Sequence, residues 1–228
     1  MTPFLLVLSA PSGAGKTRIK DMLLQGRDDV AYSVSATTRA PRDGEVDGRS
    51  YHFLTRPEFE RRRDAGEFAE WAPYAGNLYG TLKSELARIV GQGRHPVLDI
   101  EVEGARQLRE HYDNAVLVFV LPPSGRTLVE RLIGRNTEPP EAVARRLRRA
   151  AEELAAVSEY DYAVVNDDLT TAVAQVASIL DAETRRVSRQ QGLPDGLGQL
   201  QHDIDAAVRR IEHEALYPEE AAPSRRRD

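Results

Sequence analysis

Residues Ala10 to Thr17 read A-P-S-G-A-G-K-T directly after the apolar run Phe4 to Leu8. That is the order of strand, small-residue loop and helix that a nucleoside triphosphate site requires. Across Ala10, Pro11, Ser12, Gly13, Ala14 and Gly15, small residues let successive backbone N–H groups converge on phosphate oxygens. Lys16 adds a point charge, and the Thr17 hydroxyl can ligate Mg²⁺. Ala10 stands where the full pattern has its first glycine. A methyl group is penalised mainly at positive φ, so Ala10 is expected to keep a negative φ at the end of the strand.

The rest of the chain offers little competing chemistry. It has no cysteine, which excludes disulfides, thiolate nucleophiles and thiolate metal sites. Its histidines, His52, His95, His111, His202 and His213, fall at neither metal-ligand nor triad spacing and read as surface or structural. A net charge of −5 with both signs interspersed gives no broad basic field for nucleic acid. The first apolar stretch is too short to span a bilayer and leads straight into the loop, so no membrane partner is expected and the cytoplasm is the default location.

Positioning these residues needs a frame, and at 228 residues with 41% hydrophobic content the chain can build one. Short apolar runs at 4–8, 96–100, 115–121 and 162–165 read as strands buried on both faces. Helical spacing falls at 18–25, 81–90, 102–111, 124–133 and 169–182, with Ser124 and Asp168 as N-caps. This alternation predicts an α/β fold, a parallel sheet flanked by helices. Residues 33–80 break the rhythm and read as a mostly antiparallel insert. A stretch at 135–149 is dense in arginine and interrupted by Pro139 and Pro140. Past Arg189, Gly192, Pro194, Gly196 and Gly198 read as a linker, followed by an amphipathic helix at 200–216 and a disordered end.

The segment Thr37 to Leu54, TTRAPRDGEVDGRSYHFL, resembles the signature of guanylate kinases at each of its defining positions. The similarity continues through Phe68 to Trp71, Gly76 to Gly80, Leu98 to Gly104, Arg131 to Arg135 and Val165 to Leu169, covering about residues 3 to 188. It implies transfer of a phosphoryl group from ATP to GMP, and by extension dGMP, in a P-loop NTPase fold. That fold has a GMP-binding insert at about 33–96 and a helical lid at about 125–157. A guanylate-kinase-like module that binds peptides without catalysis is the alternative from another class. Monomer and homodimer both stay open, as does the role of residues 189–228.

Carried over by that resemblance, Arg39, Arg42, Tyr51 and Tyr79 hold the GMP phosphate, a task suited to guanidinium and phenolic donors. Glu70 reads guanine, whose adjacent ring and exocyclic N–H groups match a carboxylate; Ser35 and Thr81 match further nucleotide contacts. Asp99 falls at the place of a metal-associated acid facing the nucleotide cleft, with Glu101 two residues on along the same extended face, so both are candidate GMP contacts, Glu101 open between a contact and a shaping role. Arg131, Arg135 and Arg146 are lid arginines that offset charge on the transferring group. Arg145, Arg148 and Arg149 read as a solvated helix face, and Asn166 and Asp167 as adenine neighbours. A phosphate monoester has a second pKa near 6, so the acceptor oxygen needs no general base at neutral pH. Catalysis then rests on aligning two anions while the insert and lid close out water.

Overall fold

The computed structural model describes residues 2–133, 140–190 and 192–216. Along the chain run β1 (Leu5–Ser9), α1 (Lys16–Gly26), β2 (Val30–Tyr32), β3 (Ala36–Thr37), β4 (His52–Phe53), α2 (Arg56–Asp64), β5 (Phe68–Tyr74) and β6 (Asn77–Leu82). They are followed by α3 (Lys83–Gly91), β7 (His95–Asp99), α4 (Val102–His111), β8 (Ala115–Leu121), α5 (Gly125–Ile133), α6 (Pro140–Ala155), β9 (Tyr162–Val165), α7 (Leu169–Thr184) and α8 (Leu193–Leu216). Residues 2–184 group as one unit; the other, from Arg185 on, contains a 3-10 turn at Val187–Arg189 and α8.

Five parallel strands in the order β2-β7-β1-β8-β9 form the central sheet. Every residue of β1 is buried because both its faces are covered. Leu6 and Leu8 pack with Ile19 and Leu23 of α1 and Val176 and Leu180 of α7; Leu5 and Val7 pack with Leu86 of α3 and Leu108 of α4. Successive side chains leave a strand on opposite faces, so double coverage demands the continuous apolar run seen in the sequence. The expected caps form, with Ser124 Oγ and Asp168 Oδ1 accepting from the backbone of Thr127 and Thr171.

A second sheet, β4-β3-β6-β5, stands on residues between β2 and β7. It is antiparallel except for β3 and β4, which pair in parallel. Two boundaries and one burial pattern differ from the sequence reading. Thr81, expected to open a helix, lies in β6 because it pairs across to Glu70 of β5. β9 is half exposed rather than buried on both faces, since it is the sheet's edge. Helix α8 starts at Leu193, not Leu200, and runs through Gly196 and Gly198, with Pro194 in a first turn that tolerates it.

The carboxyl ends of β7, β1 and β9 deliver Asp99, the 10–17 loop and Asn166 to one edge of the sheet. In open α/β sheets, ligands bind outside this edge.

Candidate active site

The loop after β1 closes with Ala14 N donating to Pro11 O at 3.0 Å, and α1 begins with Arg18 and Ile19 N donating to Gly15 O. Gly13 and Gly15 hold φ of 92° and 95°, which L side chains rarely adopt, whereas Ala10 is not among the residues of positive φ. A Cβ on Gly15 would run into the Asn166 amide, and one on Gly13 would approach Leu132 Cδ2 to 3.1 Å. Asn166 is buried and its Nδ2 donates to Ala14 O at 2.7 Å, so this side chain shapes the loop. Helix α1 has no side-chain cap and no acid in its first turn, which leaves its N-terminal N–H groups to an anion. A cavity of about 600 Å³ opens here, lined by Ala10, Pro11, Ser12, Gly13, Gly15, Lys16 and Thr17, with Arg131 and Asp167. Arg131 reaches Asn166 O at 3.5 Å.

Lys16 Nζ lies 2.9 Å from Asp99 Oδ1, 3.8 Å from Glu101 Oε1 and 3.0 Å from Ile100 O. Burial works to lower its pKa, but the two carboxylates outweigh burial and raise it, so the ammonium stays charged. Asp99 closes β7, and Glu101 occupies the cap position of α4 with extended backbone. Among the described residues no group of three or more His, Asp or Glu could cage a metal. The donors at hand, Thr17 and the carboxylates of Asp99 and Glu101, all line the adjoining cavity. This sparse, hard-oxygen set suits a magnesium ion that takes its remaining ligands from phosphates and water.

That second cavity, about 820 Å³, shares Lys16, Thr17, Tyr74 and Glu101 with the first. Ser35, Arg39, Arg42, Tyr51, Glu70, Tyr79, Asp99 and Glu101 all line it. Arg39 pairs with Glu45 at 2.8 Å, donates to Ala40 O, and lies over the Tyr51 ring at 5.3 Å. Glu45 also accepts from Arg42 N at 2.7 Å, which makes it the brace of the 39–45 loop. Glu45 falls inside the Thr37 to Leu54 signature, where sequence alone assigns it no role.

Glu70 is 5% exposed, and burial pushes its carboxyl up to about 7. Thr81, fully buried, is absent from the cavity wall; its Oγ1 donates to Glu70 Oε1 at 2.7 Å, which places it behind the carboxylate. Two residues of α4 complete the mount and had no functional reading in the sequence. Gln107 spans the backbone of Trp71, accepting from its N at 3.1 Å and donating to its O at 2.9 Å. Gly104 lies so close to Glu70 Oε2 that a Cβ there would overlap it.

The arginines of α6 divide. Arg146 Nη2 donates to Ser12 Oγ at 2.9 Å, joining this helix to the phosphate loop. Arg145 and Arg148 are exposed at the cavity rim. Arg149, expected in solvent, is instead half buried, with its guanidinium 4.1 Å from the Tyr74 ring centroid and 2.8 Å from Glu153. Arg135, with Asn136 and Pro139, lies outside the described residues.

The family model described as guanylate kinase matches residues 3–183. A guanylate kinase of Symbiobacterium thermophilum is 49% identical over 185 residues, 81% of this chain and 88% of that one. One from Clostridium perfringens strain SM101 is 46% identical over 185 residues, 81% and 86% of the two chains. The crystal structure of guanylate kinase from Anaplasma phagocytophilum superposes with a TM-score of 0.72 at 35% identity, covering 86% of this chain and 94% of its own.

Proposed function

Because the chain belongs to the guanylate kinase family and is an ATP:GMP phosphotransferase, we propose a division of its two adjoining cavities between donor and acceptor. ATP lies in the smaller one, on the 10–17 loop, with Asp167 beside the base. GMP, or dGMP, lies in the larger one, its phosphate on Arg39, Arg42, Tyr51 and Tyr79 and its base on Glu70. Ser35 adds a contact beside it, and Thr81 holds the Glu70 carboxylate in place. The single observation that carries this reading is Lys16, common to both cavities and held at their junction by Asp99 and Glu101.

The residues suit an in-line transfer in which alignment and charge neutralisation supply the catalysis. Lys16, Arg131, Arg135 and Arg146 offset the repulsion between the two anions. Thr17 and Asp99 would hold a Mg²⁺ ion, which when bound supplies Lewis-acid neutralisation of the donor phosphates. No base need be assigned, since the acceptor phosphate is largely dianionic at neutral pH. The buried Glu70 carboxylate rejects adenine, which lacks the paired donors and would leave the acceptor oxygens unmet.

No described helix is long and apolar enough to cross a membrane. In the same proposal the enzyme is cytoplasmic, without membrane or nucleic-acid partners, and monomeric or homodimeric. Residues 1–188 form the catalytic domain and 189–228 an appendage. The test is ADP release with GMP, dGMP, AMP, CMP and UMP as acceptors. Turnover is expected with the two guanine nucleotides alone, and comparable turnover with AMP would refute the role given to Glu70.

A further inference from the structure

Three tyrosine rings lead away from Arg39 along the second sheet. Tyr51 meets Tyr79 edge to face at 5.9 Å, and Tyr79 meets Tyr74 in the same manner at 5.9 Å and 85°. Tyr74 ends β5 at the tip of the β5–β6 hairpin, where Tyr74 pairs with Asn77 across Ala75 and Gly76. Both loop residues have positive φ, 47° and 81°, the requirement of a tight two-residue turn that fixes the tip. Beyond the tip stands α6. Its Arg149 guanidinium faces the Tyr74 ring at 4.1 Å, while Glu153 at 2.8 Å and Glu101 at 3.8 Å hold it from the other side. Glu101 in turn faces Lys16. Tyr74 itself lines both cavities.

We propose that Tyr74 and Arg149 are positioning residues that couple occupancy of the acceptor cavity to that of the donor cavity. The inference rests on the assignment of those cavities to GMP and ATP. A phosphate on Arg39, Tyr51 and Tyr79 immobilises the start of the ring series, the rings fix Tyr74, and Tyr74 holds Arg149. Helix α6 is thereby kept where Arg146 meets Ser12 of the phosphate loop. The effect runs equally in reverse, as linkage between two binding equilibria must. Neither side chain is placed on a reacting atom; their contribution is to make each nucleotide bind better when its partner is present.

The test is calorimetric: the Kd of GMP with and without a non-hydrolysable ATP analogue plus Mg²⁺, in the wild type, Tyr74→Leu, Arg149→Gln and the double variant. In the wild type the analogue is expected to tighten GMP about fivefold or more. Each single change should lower that ratio about threefold, the size of one cation–π contact, a loss read as a ratio and so independent of any change in the Kd of GMP alone. The double variant should lose no more than either single, and Arg149→Lys should regain part of the ratio because an ammonium also attracts the ring face. Thermal midpoints check that the variants fold, which the partial exposure of both side chains favours. Ratios unchanged in the single variants, or losses that add in the double, would overturn the proposal. A wild type that binds both nucleotides without coupling would defeat the proposal alone; one that binds no GMP would defeat the site assignment and the proposal together.

Discussion

Glu70 carries a cost that its function explains. A carboxyl raised from its ordinary 4.5 to about 7 binds protons more tightly in the native than in the unfolded state. The stability it contributes is therefore complete below 4.5 and is lost as pH rises through about 7, a loss on the order of 3 kcal/mol. Glu70→Gln, which can still accept from Thr81, is expected to melt higher than wild type at pH 8 in the absence of ligand and at nearly the same temperature at pH 4. Its KM for GMP should rise about 10- to 100-fold, the worth of hydrogen bonds to a charged acceptor. In the wild type that KM should climb about tenfold from pH 8 to pH 6 as the carboxylate is protonated, beyond any change the substrate phosphate causes in Glu70→Gln. Initial rates across that range decide the matter. Lys16→Met should cut turnover at least about 1,000-fold. It should also lower the melting point, since removing one member of a largely buried ion pair strands Asp99 at a cost of about 3 kcal/mol.

At the level of elements, α4 sets the position of the base-reading strand, and Gly104 is its point of closest approach. A methyl group there displaces the end of a flexible side chain rather than backbone, so Gly104→Ala should fold and shift Glu70. The expected result is a KM for GMP raised about tenfold with the KM for ATP unchanged, as steady-state kinetics with each substrate varied would reveal. This mount was hidden in the sequence for a physical reason. Gln107 and Gly104 act through contacts made across more than thirty residues of chain, as the Gln107 separation of 36 from Trp71 illustrates, and helical spacing reports only which face is apolar. Helical spacing begins at Thr81 in the sequence, but that residue belongs to a strand fixed by cross-pairing with Glu70. β2, three residues long, was too short to register as a period at all. By contrast the phosphate loop was legible, since its glycines, lysine and threonine act within one local turn.

Over the whole molecule, the parallel sheet and the antiparallel insert were legible because burial on both faces and a break in alternation leave direct marks on composition. Arg149 was not, because nothing in a run of arginines tells which guanidinium will face a ring. The guanylate kinase match ends at residue 183, and the chain beyond Thr184 groups as a unit of its own. Helix α8 carries Leu200, Ile204 and Ile211 along one stripe, all three exposed, with no other described α-helix inside that unit. Removal of residues 192–228 is expected to leave turnover and both KM values within about twofold, and a larger loss would show that the appendage serves the kinase. One contact orders events in time. The Ala14 carbonyl receives its amide partner from Asn166, 152 positions later in the chain. The phosphate cradle is therefore completed only when the segment after β9 has joined the sheet, so a growing chain that stops short of Asn166 lacks one of the braces on its nucleotide loop.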